Sequence, residues 1–137
     1  MLIRARRTEY LREPLYIYRR GQPSTMHNDN AAKNLDILRI MDMLEKELDR
    51  RGRREDFEFL LINHVLLDTI SRLANQTDPG RRAAIRTVRA YVREKLPSLS
   101  ACSSYRRETR NRRIIMLLNY HGLEDLGQWL LRVKNRL

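Results

Sequence analysis

Arg54-Glu55-Asp56-Phe57-Glu58-Phe59-Leu60-Leu61-Ile62-Asn63-His64-Val65-Leu66-Leu67-Asp68-Thr69-Ile70-Ser71-Arg72-Leu73-Ala74-Asn75 is the stretch whose reading decides the fold. Phe57, Leu60, Leu61, His64, Val65, Leu67 and Ile70 form an apolar face broad enough for a helix that sits centrally among others. The acidic first turn, Glu55 and Asp56, complements the positive end of the helix dipole. His64, on the apolar face, reads as a core histidine with one hydrogen-bond partner.

On the N-terminal side, Leu35, Leu38, Met41, Leu44 and Leu48, with Ile37 and Ile40, predict an amphipathic helix from Ala31 to Arg51. Asn30 stands in the N-cap place and Gly52 in the C-cap place. On the C-terminal side, Asp78-Pro79 reads as an N-cap followed by an N1 proline. Ile85, Val88, Tyr91, Val92 and Leu96 then carry a third helix until Pro97 stops it, with Arg81, Arg82, Arg86, Arg89 and Arg93 on its other face. After the loop 98–104, two more helices are expected, about Tyr105 to Tyr120 and Leu123 to Arg136, broken at Gly122. Ile114, Ile115 and Leu118, then Leu126, Trp129, Leu130 and Val133, are expected to close the core.

Before residue 31 the pattern changes. Residues 1–7 read as the end of a helix, and Tyr10 to Tyr18 as extended, with Leu15 and Ile17 opposite Tyr16 and Tyr18. Residues 19–30 combine Gly, Pro, Ser and Asn in a polar loop. The expected fold is therefore mainly α, an assembly of about five helices preceded by one short extended segment that has no partner strand within the chain.

Composition agrees with one helical unit: 137 residues, 42% hydrophobic, 33% charged, with 5 Gly and 4 Pro. Cys102 has no second cysteine to pair with, and three histidines allow no Cys/His metal spacing, so no metal site is expected. No apolar run reaches the roughly 20 residues that cross a bilayer, and residues 1–7 lack the apolar core of a signal peptide. A cytoplasmic setting is expected. The net charge of +11 divides as +3 over residues 1–30, −1 over 31–75, +4 over 76–100 and +5 over 101–137. Such a surface attracts phosphate-rich partners. Only Lys33, Lys46, Lys95 and Lys134 are lysines, an arginine excess that fits GC-rich codon usage as well as bidentate phosphate binding.

Catalytic motifs are scarce. Asp36, Asp42, Glu45, Glu47 and Asp49 interleave with Arg39, Lys46 and Arg50 and read as a solvated helix face rather than an acid–base pair. Ser24, Ser71, Ser103 and Ser104 have no nucleophile motif around them, and Cys102 has no histidine in sequence reach. Phosphate-binding and dinucleotide glycine motifs are absent. His121, beside Gly122, can satisfy a terminal helix carbonyl, whereas His27 lies among phosphate-type ligands in the polar loop. For nucleic acid or lipid phosphate, the candidate surface is Arg82, Arg86, Arg89 and Arg93 with Arg106, Arg107, Arg110, Arg112 and Arg113, and Tyr105 for stacking. Sequence-specific DNA reading has no recognition helix to support it.

Residues 2–19, which include Glu13-Pro14-Leu15-Tyr16-Ile17-Tyr18-Arg19, resemble the segment that closes the catalytic domain of bacterial family 2 glycosyltransferases of the GT-A type, where a basic helix end precedes a strand carrying E-P-L-Y-x-Y-R. In the loop that follows, Tyr18, Arg19 and Ser24 match Y-R-x-R-x-G-S, and Gly21 matches Y-R-x-G-x-x-G-Q-[ST]. Gly21 and Pro23 stand where the first pattern has its second arginine and its glycine. Glu94-Lys95-Leu96-Pro97 is similar to the Y-[LV]-x-x-x-[FL]-P element before the last helices of that family.

The resemblance implies that residues 1–30 are the remnant of a catalytic-domain end whose strand would join a GT-A sheet, and that 31–137 are a C-terminal helical domain. It implies a nucleotide sugar and a glycan acceptor as partners, contacted through Tyr18, Arg19, Arg20, Ser24 and His27, and a divalent Mg or Mn ion in an intact relative. The nucleotide-binding repeats, the D-x-D metal motif and the catalytic-base motif are absent from this chain, so inactivity alone is expected. Peripheral contact with the inner face of an anionic membrane is a further expectation. A stand-alone basic module for nucleic acid or an anionic membrane surface is the alternative, with nucleic acid the less favoured partner. A scaffold pairing its strand 10–18 with a partner sheet is a third.

Overall fold

The computed structural model describes residues 30–134. The segments read from the sequence as a helix end, a strand and a polar loop, with Tyr18, Arg19, Arg20, Ser24 and His27, lie outside the described residues. Within them the fold is mainly α, with no strand.

A 3-10 turn, Ala32–Leu35, leads into α1, Asp36–Arg50. Asn30 caps the turn as expected, its side-chain carbonyl accepting the N–H groups of Ala32 at 3.0 Å and Lys33 at 3.3 Å. Gly52, at φ +64°, ends α1. Its N–H meets the Asp49 carbonyl at 3.0 Å and that of Arg53 meets Leu48 at 2.9 Å, the paired bonds of a Schellman turn.

The segment quoted at the outset forms one continuous rod: α2, Arg54–Leu60, a π-helical stretch, Leu61–Thr69, and α3, Ile70–Ala74. It is central, as its apolar face predicts. Phe57, Leu61, Ile62, Val65, Leu66, Ile70 and Leu73 have no solvent exposure. The π stretch changes which residues face inward, because its wider i→i+5 turns shift the phase of the side chains relative to a 3.6-residue repeat. Ile62, Asn63, Leu66 and Thr69 are thereby buried, while His64, expected in the core, is exposed. The Thr69 hydroxyl donates to the His64 carbonyl at 2.7 Å.

Helix α4, Arg81–Lys95, packs Ala84, Ile85, Val88 and Val92 against this rod. It begins two residues later than Asp78-Pro79 suggests. Asp78 instead turns the chain, accepting Gly80 N–H on Oδ1 at 2.6 Å and Ala31 N–H on Oδ2 at 2.8 Å. These two backbone donors hold its carboxyl below the usual range. A carboxylate with a depressed folded-state pKa stabilises the fold above its unfolded pKa and loses that contribution as pH falls through the folded value. Asp78→Asn is therefore expected to lower the urea midpoint at pH 7 and to approach wild type as acid protonates Asp78.

Pro97 ends α4's path, and Leu96, Leu99, Cys102 and Tyr105 cover one end of the core. The helix expected over 105–120 is two: α5, Ser103–Arg107, and α6, Arg110–His121, separated by extended backbone at Glu108 and Thr109. Gly122, at φ +90°, closes α6 with the same paired bonds, Leu123 N–H to Leu118 at 2.8 Å and Gly122 N–H to Asn119 at 3.4 Å.

Helix α7, Glu124–Lys134, folds back on α6 with the opposite face to the one its sequence suggests. Gln128 is buried and Gly127 lies against Ile115, Leu118 and Asn119. Leu126, Trp129 and Leu130, expected to close the core, are 47%, 57% and 36% exposed, and Ile114 on α6 is 40% exposed. With Gly127 and Gln128 on the side that packs against α6, the bulky stripe is left facing outward.

Candidate functional site

Four arginines act as caps between helices. A helix leaves its last carbonyls unpaired and carries partial negative charge at that end, which a cation with several N–H groups satisfies well. Arg54 donates to the carbonyl of Lys95 at 3.2 Å, at the end of α4. Arg81 donates to those of Gln76 at 2.6 Å and Ala74 at 3.4 Å, at the end of α3. Arg89 and Arg93 share the end of α6: Arg89 Nε meets Asn119 at 3.0 Å, and Arg93 reaches Tyr120 at 2.7 and 3.2 Å, with its guanidinium 5.3 Å from the Tyr120 ring. This is the role the sequence suggests for His121, which is exposed and lies edge-on to Tyr120 instead.

Arg89 is also paired to Glu124 at 2.5 Å, with both side chains mostly buried. Arg89 and Arg93 are thus committed to the fold. Of the α4 residues expected to bind phosphate, Arg82 and Arg86 remain exposed, and they flank a small cleft of about 170 Å³ that also contains Glu124 and Asp125.

The second half of the expected basic surface sits elsewhere. Arg106 and Arg110 are exposed at the α5–α6 elbow. Arg107 lies 3.9 Å from Glu55 with both side chains in solvent, and Arg112 pairs with Glu108 at 2.9 Å and bonds Asn63. Arg113 covers the ring of Tyr105, which is 7% exposed and so unavailable for base stacking. The elbow is at the N-terminal end of α6 and Arg89 and Arg93 are at its C-terminal end, about 18 Å away at 1.5 Å per residue. The arginines do not form one continuous patch.

The acidic face of α1 is only partly solvated. Glu45, 17% exposed, accepts Lys95 Nζ at 2.6 Å and Arg54 at 2.9 Å, so one carboxylate joins α1, α2 and α4. Burial works to raise its pKa, but the bonds from Lys95 and Arg54 outweigh burial and hold it below the ordinary value. Tyr91 donates to Asp42 at 2.8 Å beside this cluster, and its pKa is pushed far upward by burial and then by Asp42. Lys95 carries no sequence signal for this role beyond its place before Pro97.

Two grooves flank the exposed side of the rod. The larger, about 840 Å³, has walls from Leu67, Ser71, Ile114, Ile115 and Leu130, with Asp68, Thr109 and Arg112 among its polar members. The smaller, about 280 Å³, lies between α1 and the π stretch and includes His64, 3.5 Å from Asp68. Cys102 is buried, and burial pushes its thiol up, so it lacks the thiolate character of a nucleophile. Among the described residues, no three His, Cys, Asp or Glu side chains converge as metal ligands, and no helix is long and apolar enough to cross a membrane. No family model, curated protein or solved structure matches the chain.

Proposed function

We propose that this chain is the C-terminal helical region of a nucleotide-sugar-dependent family 2 glycosyltransferase acting in glycan synthesis, and that it is inactive alone. The observation that carries the reading is the run Glu13-Pro14-Leu15-Tyr16-Ile17-Tyr18-Arg19, set just ahead of a helical body. That body holds the backbone of Ala31 on Asp78 at 2.8 Å, so the preceding segment leaves it from a fixed point beside the start of α4. The Mg or Mn ion of such an enzyme would belong to the catalytic half, since no D-x-D occurs here. Arg19 and Arg20 offer paired N–H donors suited to a diphosphate.

The purified chain incubated with UDP- and GDP-sugars and Mn is expected to show no metal-dependent turnover, and its weak UDP affinity is expected to drop when Arg19 becomes alanine. Turnover by the chain alone, or tight UDP binding indifferent to Arg19→Ala, would overturn the proposal. The alternative, a stand-alone basic module for nucleic acid or an anionic membrane surface, loses Arg89 and Arg93 to helix capping, and its remaining cations are split between Arg82 and Arg86 on α4 and the elbow arginines.

A further inference from the structure

We propose that the outer face of α6 and α7 is a docking surface for an anionic lipid bilayer, independent of the glycosyltransferase reading. Leu123, just before α7, and Leu126, Trp129 and Leu130 along it follow the spacing of a single helical stripe, and all four are at least 36% exposed. Ile114 and Leu117 of α6, 40% and 44% exposed, place a second apolar row beside them, and Ile114 and Leu130 both belong to the 840 Å³ groove. The buried polar Gln128 and the exposed indole on one helix show that α7 keeps its apolar side away from this core. Soluble surfaces seldom leave such a stripe bare, and a bordering tryptophan suits the boundary between headgroups and acyl chains.

Charge selects the occupant. The exposed elbow arginines Arg106 and Arg110 precede Ile114 at one end of this face, and Arg112 lines the groove shared by Ile114 and Leu130. Glu108 pairs with Arg112, and Glu124 with Arg89, which leaves as exposed acids Asp68 in the groove, 3.5 Å from His64, and Asp125 at the other end. A second copy would bring the same arginines together, and residues 1–30 carry +3, so neither complements this border. An anionic bilayer supplies both an apolar interior for the stripe and negative headgroups for the arginines.

Trp129 is the single tryptophan of the chain, so its emission reports on this face alone. The full chain is titrated with vesicles of phosphatidylcholine, and of phosphatidylcholine with phosphatidylglycerol, with and without brominated acyl chains. The expected result is a blue shift with the anionic vesicles, weakened by salt, and quenching by the brominated chains. Leu126→Ser with Leu130→Ser, and separately Arg106→Glu with Arg110→Glu, should each weaken partitioning at least about tenfold while helicity by circular dichroism is unchanged. Absence of the shift with anionic vesicles, binding without bromine quenching, or a concentration-dependent shift without lipid, which would mark a second copy, each overturns the proposal. The wild-type quenching arm decides the matter even where a variant fails to fold.

Discussion

Arg89→Ala is expected to destabilise the fold by about 3 kcal/mol, because it leaves the mostly buried Glu124 carboxylate without its cation and opens the end of α6. Urea unfolding at neutral pH should show a lower midpoint with an unchanged slope. Arg86→Ala, nearly one turn earlier and exposed, is expected to stay within about 0.5 kcal/mol of wild type. Adding Glu124→Gln to the Arg89→Ala background should recover part of the loss, since the orphaned charge is then gone. A near-neutral Arg89→Ala would mean that the guanidinium is free in solution, and would return this arginine to the pool available for phosphate.

Asn119→Leu should be comparably damaging, about 3 kcal/mol. Asn119 has no solvent exposure, and its side-chain N–H₂ donates to the Leu66 carbonyl at 2.9 Å, inside the π stretch of the rod. Removing that donor breaks a buried hydrogen bond between α6 and the rod, at about 1 kcal/mol. The branched side chain must also fit against α7, where Gly127 faces Ile115, Leu118 and Asn119, and a misfit there costs about 1–3 kcal/mol. Thermal unfolding followed by circular dichroism should show a melting temperature lower by about 10 °C. Faster amide exchange over residues 61–69 than over α1 would locate the damage; an unshifted melting point would show that the π stretch does not depend on this bond.

Much of the helical layout was legible in the chain. Asn30, Gly52 and Gly122 mark ends because caps and positive-φ turns depend on the residue that occupies them, and they behave as read. The rod's central place follows from the width of its apolar face. Reading failed where packing overrode the 3.6-residue period. His64 is exposed because the π stretch turns the rod, and the Leu126–Trp129–Leu130 stripe faces outward because α7 packs its Gly127 and Gln128 side inward instead.

The basic surface shows the same division. Counting arginines along α4 suggests five equivalent cations, and nothing local separates Arg86 from Arg89. Their fates depend on which helix end lies opposite: Arg81 meets the carbonyls that finish α3, and Arg89 and Arg93 those that finish α6. The glycosyltransferase likeness rests on residues 13–19, a local motif that needs no packing to be recognised.

Periodicity, caps and breakers are properties of neighbours in the chain, so composition and spacing were enough to establish a mainly α protein with a central second helix and an excess of positive charge. Which arginines stay free, which face of α7 meets water and which carboxylate joins three helices are relations between residues on different helices. Sequence separation does not decide them, since Arg81 meets Gln76 5 positions away and Glu45 meets Lys95 50 away; they depend on distances between helices, and only the packed structure sets those distances.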